Sequence, residues 1–193
     1  MSKRWYVVHA YSGFEQQVAR ALREAALAPD VAVLLTSSVK DRMALNVETL
    51  LVSPYRLWLP LGHPLAQQES ITLEELAGTP MIQLMVDEIE ESTRRLTAAL
   101  PVKPQIAFRT RSVEAVRSLV ATGAGIAVLP DLAYRPWSLE GKRIETVTIS
   151  DPVTPMSVGL AWHRERAFSP AMQAVRNYFH DAFLTPQQLS ARR

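Results

Sequence analysis

Thr36, Ser37 and Ser38 directly follow the apolar run Val31 to Leu35, and Arg109, Thr110, Arg111 and Ser112 directly follow Ile106, Ala107 and Phe108. Each cluster of hydroxyl or guanidinium groups therefore ends a short stretch with the composition of a strand. Hydroxyls and exposed helix N-termini bind anions, and an arginine can pair with a carboxylate through two hydrogen bonds. The chemistry offered is recognition of a small polar molecule. Bond-breaking chemistry has no comparable set of residues. The chain has no cysteine, which removes disulfides, thiol nucleophiles and thiolate metal sites. His9, His63, His163 and His180 lack the spacing of metal ligands and read as structural or surface residues. Asp87, Glu88, Glu90 and Glu91 form an acidic cluster without the glycine-bearing spacing of a calcium loop, and read as a solvated loop and helix start. No nucleophile elbow, phosphate loop or paired-carboxylate motif occurs, so neither an enzyme nor a cofactor is expected.

The elements that would position these residues follow from hydrophobic periodicity. Trp5 to Ala10 is β-branched and aromatic and reads as a strand, and Phe14, Val18, Ala21, Leu22 and Ala25 recur at helical spacing after a possible cap at Ser12. Pro29-Asp30 stops that helix, and Val31 to Leu35, apolar throughout and too short for a helix, has the look of a strand buried on both faces. Such β-α-β units build parallel sheets, and ligands bind at the carboxyl ends of their strands, where Thr36 to Ser38 sit. Further strands are expected at Val47 to Val52, Tyr55 to Leu59, Met81 to Met85, Ile106 to Phe108, Gly125 to Pro130 and Val158 to Trp162. Thr72-Leu73-Glu74-Glu75 has the form of a capping box, closed by Gly78 as a left-handed cap. Helices are expected over Ser92 to Leu100, from an N-cap at Ser112 to a stop at Gly123, and from Ser169 to about Phe183, with a frayed tail from Thr185.

Composition fits one soluble domain or two small lobes. The chain has 193 residues, 48% hydrophobic and 21% charged, and no apolar run long enough for a membrane helix. Ser2-Lys3-Arg4 is not followed by the apolar core of a signal peptide, so a cytoplasmic location is expected. Net charge is only +2 and the basic residues are scattered, which does not indicate a general nucleic-acid-binding surface.

Specific motifs sharpen this picture. His63-Pro64-Leu65-Ala66, then Ile71-Thr72-Leu73-Glu74-Glu75-Leu76-Ala77-Gly78-Thr79-Pro80-Met81-Ile82, resembles the effector domain of LysR-type transcription regulators. Ser112 to Pro130 looks like that family's helix–glycine–strand segment, Val158 to Trp162 its returning strand, and Ser169 to Phe179 its closing helix; Asp30 to Leu35 resembles its lobe-one strand. The resemblance covers about residues 28 to 184. Lys3 to Glu15, with Val18, Ala21 and Leu22, is instead similar to the opening of NusG-type elongation factors over about residues 1 to 25. The chain reads as a chimera in which a NusG-like β-α unit replaces the start of lobe one.

The resemblance implies an α/β, two-lobed, periplasmic-binding-protein-like (type 2) fold, each lobe a mainly parallel sheet flanked by helices, with lobe one shortened. Lobe one would comprise residues 1–60 and 158–193, lobe two residues 61–157. A small-molecule effector, by its chemistry a carboxylate-type metabolite, would lie in the cleft. The positions implied for it are Ser12, Thr36, Ser37, Ser38, Gln83, Arg109, Thr110 and Ser112. Ser12, Thr36 and Ser112 have a plainer use as caps of helices and turns. A homodimer is implied, without direct DNA binding by this chain because no helix-turn-helix pattern precedes the domain, and without membrane attachment. A shortened lobe one would also leave Trp5 to Ala10 as a sheet edge, a second route to self-association. The alternative is a NusG-type elongation or antitermination factor.

Overall fold

In the computed structural model of the chain the described residues are 31–39, 43–98 and 100–190; the expected strand Trp5 to Ala10, the helix Phe14 to Leu27 and Ser12 lie outside them. Side chains are not described for Ser38, Asp87, Glu88 and residues 184–190. Two compact units are formed, one of residues up to Val52 and from Met156, the other Ser53–Pro155.

In the first unit β1 (Ala32–Leu35) pairs antiparallel with β9 (Met156–His163), Ala32 opposite Ala161 and Leu35 opposite Val158, and β2 (Leu45–Ser53) flanks β9 on its other side. Side chains of β1 alternate buried and half-buried, so Ala32 and Leu34 join Val39, Leu45 and Ala161 in a small apolar core. Burying each leucine there contributes roughly 2 kcal/mol. Gly159 lies where β9 passes β2. Any Cβ at that point would overlap the Glu48 carbonyl oxygen, so the strands approach this closely only with a glycine. The last helix, Pro170–Ser190, is N-capped by Ser169, whose hydroxyl accepts the Met172 N–H at 3.2 Å. Expected to fray from Thr185, its backbone remains helical to Ser190, in line with the good helix formers Gln187, Gln188 and Leu189.

The second unit is built around β3 (Tyr55–Pro60), which pairs antiparallel on one edge with β7 (Ala127–Pro130) and on the other with β8 (Ile144–Ile149). A short β4 (Ser70–Ile71) adds parallel to β8. Leu57, Trp58 and Leu59 are fully buried at the centre of this sheet. Beside it β5 (Pro80–Leu84) and β6 (Gln105–Thr110) pair in parallel, Gln83 opposite Arg109 and Leu84 opposite Thr110. Ile126, just ahead of β7, bridges Met81 in parallel, its carbonyl accepting the Ile82 N–H at 2.8 Å and its own N–H donating to the Pro80 carbonyl at 2.9 Å. The chain thus runs β5, α1 (Asp87–Ala98), β6, α2 (Val113–Ala121), β7, with each helix a crossover between parallel strands. The last helix of the chain, Pro170–Ser190, is α3.

Pairing is therefore mixed: parallel where a helix intervenes, antiparallel around β3 and between β1 and β9. Both expected features of the Thr72 turn are present, since the Thr72 N–H donates to Glu75 at 2.6 Å and the Thr72 hydroxyl and Glu75 form the reciprocal box around a 3-10 turn, Leu73–Leu76. Gly78 and Gly123, the two expected caps, take φ values of 77° and 79°, which a side chain would strain. Expected at Ser92, α1 instead begins at Asp87, so Glu90 and Glu91 lie near the start of the helix, where negative charge complements the helix dipole. β4 and β8 were not anticipated; β8 reads Ile-Glu-Thr-Val-Thr-Ile, with Ile144, Val147 and Ile149 turned inward.

Candidate functional site

Four of the expected residues come together at one end of the second unit's parallel strands. Gln83 and Arg109 are register partners one residue before the ends of β5 and β6, and Thr110 closes β6. Gln83 and Thr110 are half-buried and Arg109 is exposed. The turn beyond is held by its own polar groups. Met85 N–H donates to the Thr110 carbonyl at 2.7 Å, tying the two strand ends together. Ser112 N–H donates to the Thr110 hydroxyl oxygen at 3.1 Å, and the Ser112 hydroxyl oxygen accepts the Ala115 N–H at 3.2 Å. Ser112 is thus the N-cap of α2, and one acceptor site of its oxygen is spent on that role. What remains presented is the Arg109 guanidinium, the Gln83 amide and the start of a capped helix, a set suited to a carboxylate.

In the first unit Thr36, Ser37 and Ser38 form a 3-10 turn directly after β1. Thr36 is almost wholly buried, with its hydroxyl 3.4 Å from that of Thr49, so this side chain packs the unit from within. Ser37 is exposed, and its oxygen accepts the Ser157 N–H at 3.5 Å. The backbone of Ser38 completes the turn. Ser12 lies outside the described residues.

Two polar networks were not legible as such in the sequence. Glu48 on β2 takes an ion pair from Arg176 at 2.7 Å and another contact from His180, both on α3. Burial raises its pKa, but the hydrogen bonds and charges of Arg176 and His180 outweigh that and hold it below the usual carboxylate range. On α2, Arg117 is only 3% exposed; it donates to the Ala133 carbonyl at 2.8 Å, pairs with Glu114, and lies 5.7 Å from the Trp58 ring centre. Helical spacing places Arg117 on the face of Val113, Val116 and Val120, four residues after the first and three before the last, but its charge argues for solvent rather than burial there. Among the described residues no group of three or more histidines or carboxylates could hold a metal ion, and no helix is long and apolar enough to cross a membrane.

Parallel crossover units carrying hydroxyl and guanidinium groups at their strand ends, in a chain divided into two α/β units, define the periplasmic-binding-protein-like class of type 2. Comparison with known proteins narrows this. The model of the LysR substrate binding domain matches residues 7–184, and the chain belongs to that family. The match takes in most of the segment that resembles NusG. Among relatives, the uncharacterized HTH-type transcriptional regulator YybE of Bacillus subtilis is 29% identical over 157 residues, 77% of this chain and 50% of YybE. The transcriptional activator protein LysR of Escherichia coli is 30% identical over 122 residues, 60% of this chain and 39% of that protein. A putative LysR family transcriptional regulator from Pseudomonas aeruginosa has a similar structure, with a TM-score of 0.73 at 25% identity over 87% of this chain and 58% of that one. The chain spans about half the length of the curated relatives it matches.

Proposed function

We propose that the chain is the effector-sensing module of a LysR-type transcription regulator and that its ligand is a small carboxylate-type metabolite. The observation that carries this reading is the placement of Gln83, Arg109 and Thr110 at the ends of adjacent parallel strands, beside the capped start of α2. The same reading gives further ligand contacts to Ser12, Ser37, Ser38 and Ser112 and leaves Thr36 the packing role its burial assigns; on it the chain acts in the cytoplasm as a homodimer, with operator reading left to a segment other than these residues. The effector binding domain of QuiR has been solved in complex with shikimate, a carboxylate. At 20% identity that structure supports the fold, and the chemistry of Arg109 and Gln83 supports the ligand class.

The experiment is a thermal-shift screen of the purified chain against a panel of small carboxylates. A ligand present at about 100 times its Kd stabilises by roughly 2.7 kcal/mol. At least one carboxylate is expected to raise Tm, with the response abolished in Arg109→Gln and weakened in Gln83→Ala and Ser37→Ala. A panel with no response, or one in which every stabilising carboxylate acts on Arg109→Gln as strongly as on the parent, overturns the assignment.

A second reading rests on Lys3 to Glu15, whose similarity to NusG would make the chain an elongation or antitermination factor with a chimeric front end. The family match from residue 7 onward weighs against it. Co-purification with RNA polymerase core enzyme separates the two: binding supports the NusG reading, and its absence with a positive ligand screen supports the sensor.

A further inference from the structure

A pocket of about 590 Å³ opens on the second unit between the end of β3, the C-terminus of α2 and the turn that precedes β8. That volume is within the range that holds a small molecule. Pro60, Leu61 and Ala121 give it an apolar lining, Trp137 an aromatic one, and Lys142 and Arg143 place two cations on it, with no carboxylate among the lining residues. Trp137 is 59% and Leu61 61% exposed, an unusual pair of large apolar side chains to leave in water side by side.

The turn is a built feature. Trp137 and Arg143 form an antiparallel bridge, Ser138 N–H donates to the Lys142 carbonyl at 2.8 Å, and Gly141 N–H donates to the Ser138 carbonyl at 3.1 Å. The Ser118 hydroxyl on α2 sits 2.9 and 2.8 Å from the two oxygens of Glu140, which anchors the turn to the helix. The hydrogen bond from Ser118 heads the causes that lower the Glu140 pKa, ahead of those from Ser138 and the Glu140 backbone and the charge of Lys142, so this carboxylate is held first by α2 and the turn. The helix end is also satisfied: the N–H groups of Thr122, Gly123 and Ala124 donate to the carbonyls of Ser118, Val120 and Leu119. Few bare acceptors are left there to repel an anion, and among the described residues no ion pair takes up Lys142 or Arg143.

We propose that this pocket is a second small-molecule site, distinct from the β5–β6 strand ends, for a planar anion of the aryl carboxylate kind. The ring packs on the Trp137 indole and Leu61, and the charge is held by Lys142 and Arg143. An aromatic face gives a flat ligand ring an offset or edge contact, and the guanidinium offers a carboxylate two parallel donors. The site is open, so millimolar to micromolar affinity is expected.

The test uses 1-naphthoate as the probe, titrated into the whole chain by isothermal calorimetry, with neutral 1-naphthamide as its uncharged counterpart. Saturable one-to-one binding of the naphthoate is expected, with the amide at least about tenfold weaker. Trp137→Ala should weaken binding about tenfold, or about 1.4 kcal/mol, and Lys142→Gln and Arg143→Gln each by about three- to tenfold. These side chains are exposed, so circular dichroism should show the variants folded like the parent. Arg109→Gln, at the effector site, should leave naphthoate binding unchanged. Absent saturation, equal binding of the amide, insensitivity to all three pocket substitutions, or loss in Arg109→Gln would each overturn the proposal.

Discussion

Glu48 has no motif to announce it in the sequence, yet it is where β2 and α3 are joined. Its carboxylate holds Arg176 and His180, which stand one helical turn apart on α3, while Arg176 also lies 5.9 Å from the Phe168 ring centre. Because the folded pKa is depressed, the stabilisation is present above the unfolded carboxylate pKa and is lost as pH falls through the folded value. Both partners are more than a third exposed at their side chains, so solvent screening limits the contribution to about 1 kcal/mol or less. Glu48→Gln is accordingly expected to lower Tm at neutral pH, with the gap to the parent closing below about pH 4. A gap that persists unchanged to strongly acid pH would show that Glu48 acts through packing alone. Arg117 makes a related point at the same scale. A cation among the valines of α2 looks solvent-facing from its charge, but its long stem and planar head fit between Trp58 and the Ala133 carbonyl, which only the packed neighbours reveal.

Among the elements, α2 separates a structural serine from a recognising one. Ser112 was expected as both a cap and a ligand contact, and its oxygen is found on the Ala115 N–H. Ser112→Ala should cost about 1 kcal/mol of stability, read by urea denaturation, while shifting the Kd of an identified effector by less than the Arg109→Gln change does. An Ala variant of full stability that no longer responds to ligand would reverse that order. The same contrast explains which elements were legible beforehand. Strands and helices bounded by Gly, Pro or a hydroxyl cap, such as β5, β7, α2 and α3, stand out because local chemistry starts and stops them. α1 was expected to start late because Asp87 to Glu91 looks like a solvated loop by charge; the helix dipole, together with Arg94 and Arg95 pairing back to Glu91, favours the helical turn instead. β8 escaped notice because two threonines and a glutamate interrupt its apolar residues, and its identity rests on β3 lying alongside with Leu57 opposite Val147.

For the molecule as a whole, the family resemblance implies pairing of two copies. Light scattering at high protein concentration is expected to give twice the chain mass of 21.5 kDa; a single-chain mass under those conditions would count against the homodimer. What the residues alone determined is the class and the family: motifs such as Thr72 to Gly78 and Ser112 to Pro130 are contiguous, each specifying its own turn, cap or crossover, so they survive reading in one dimension. The candidate site was half legible for the same reason, since Arg109, Thr110 and Ser112 adjoin in the chain. The rest was decided by packing between distant segments. Gln83 meets Arg109 through strand register, Thr36 is removed from solvent by the sheet that β9 completes, and Trp137, Lys142 and Leu61 converge on one pocket from both sides of α2 in the chain. Register and convergence depend on which side chains bury together, a cooperative property of the folded chain that no single segment carries.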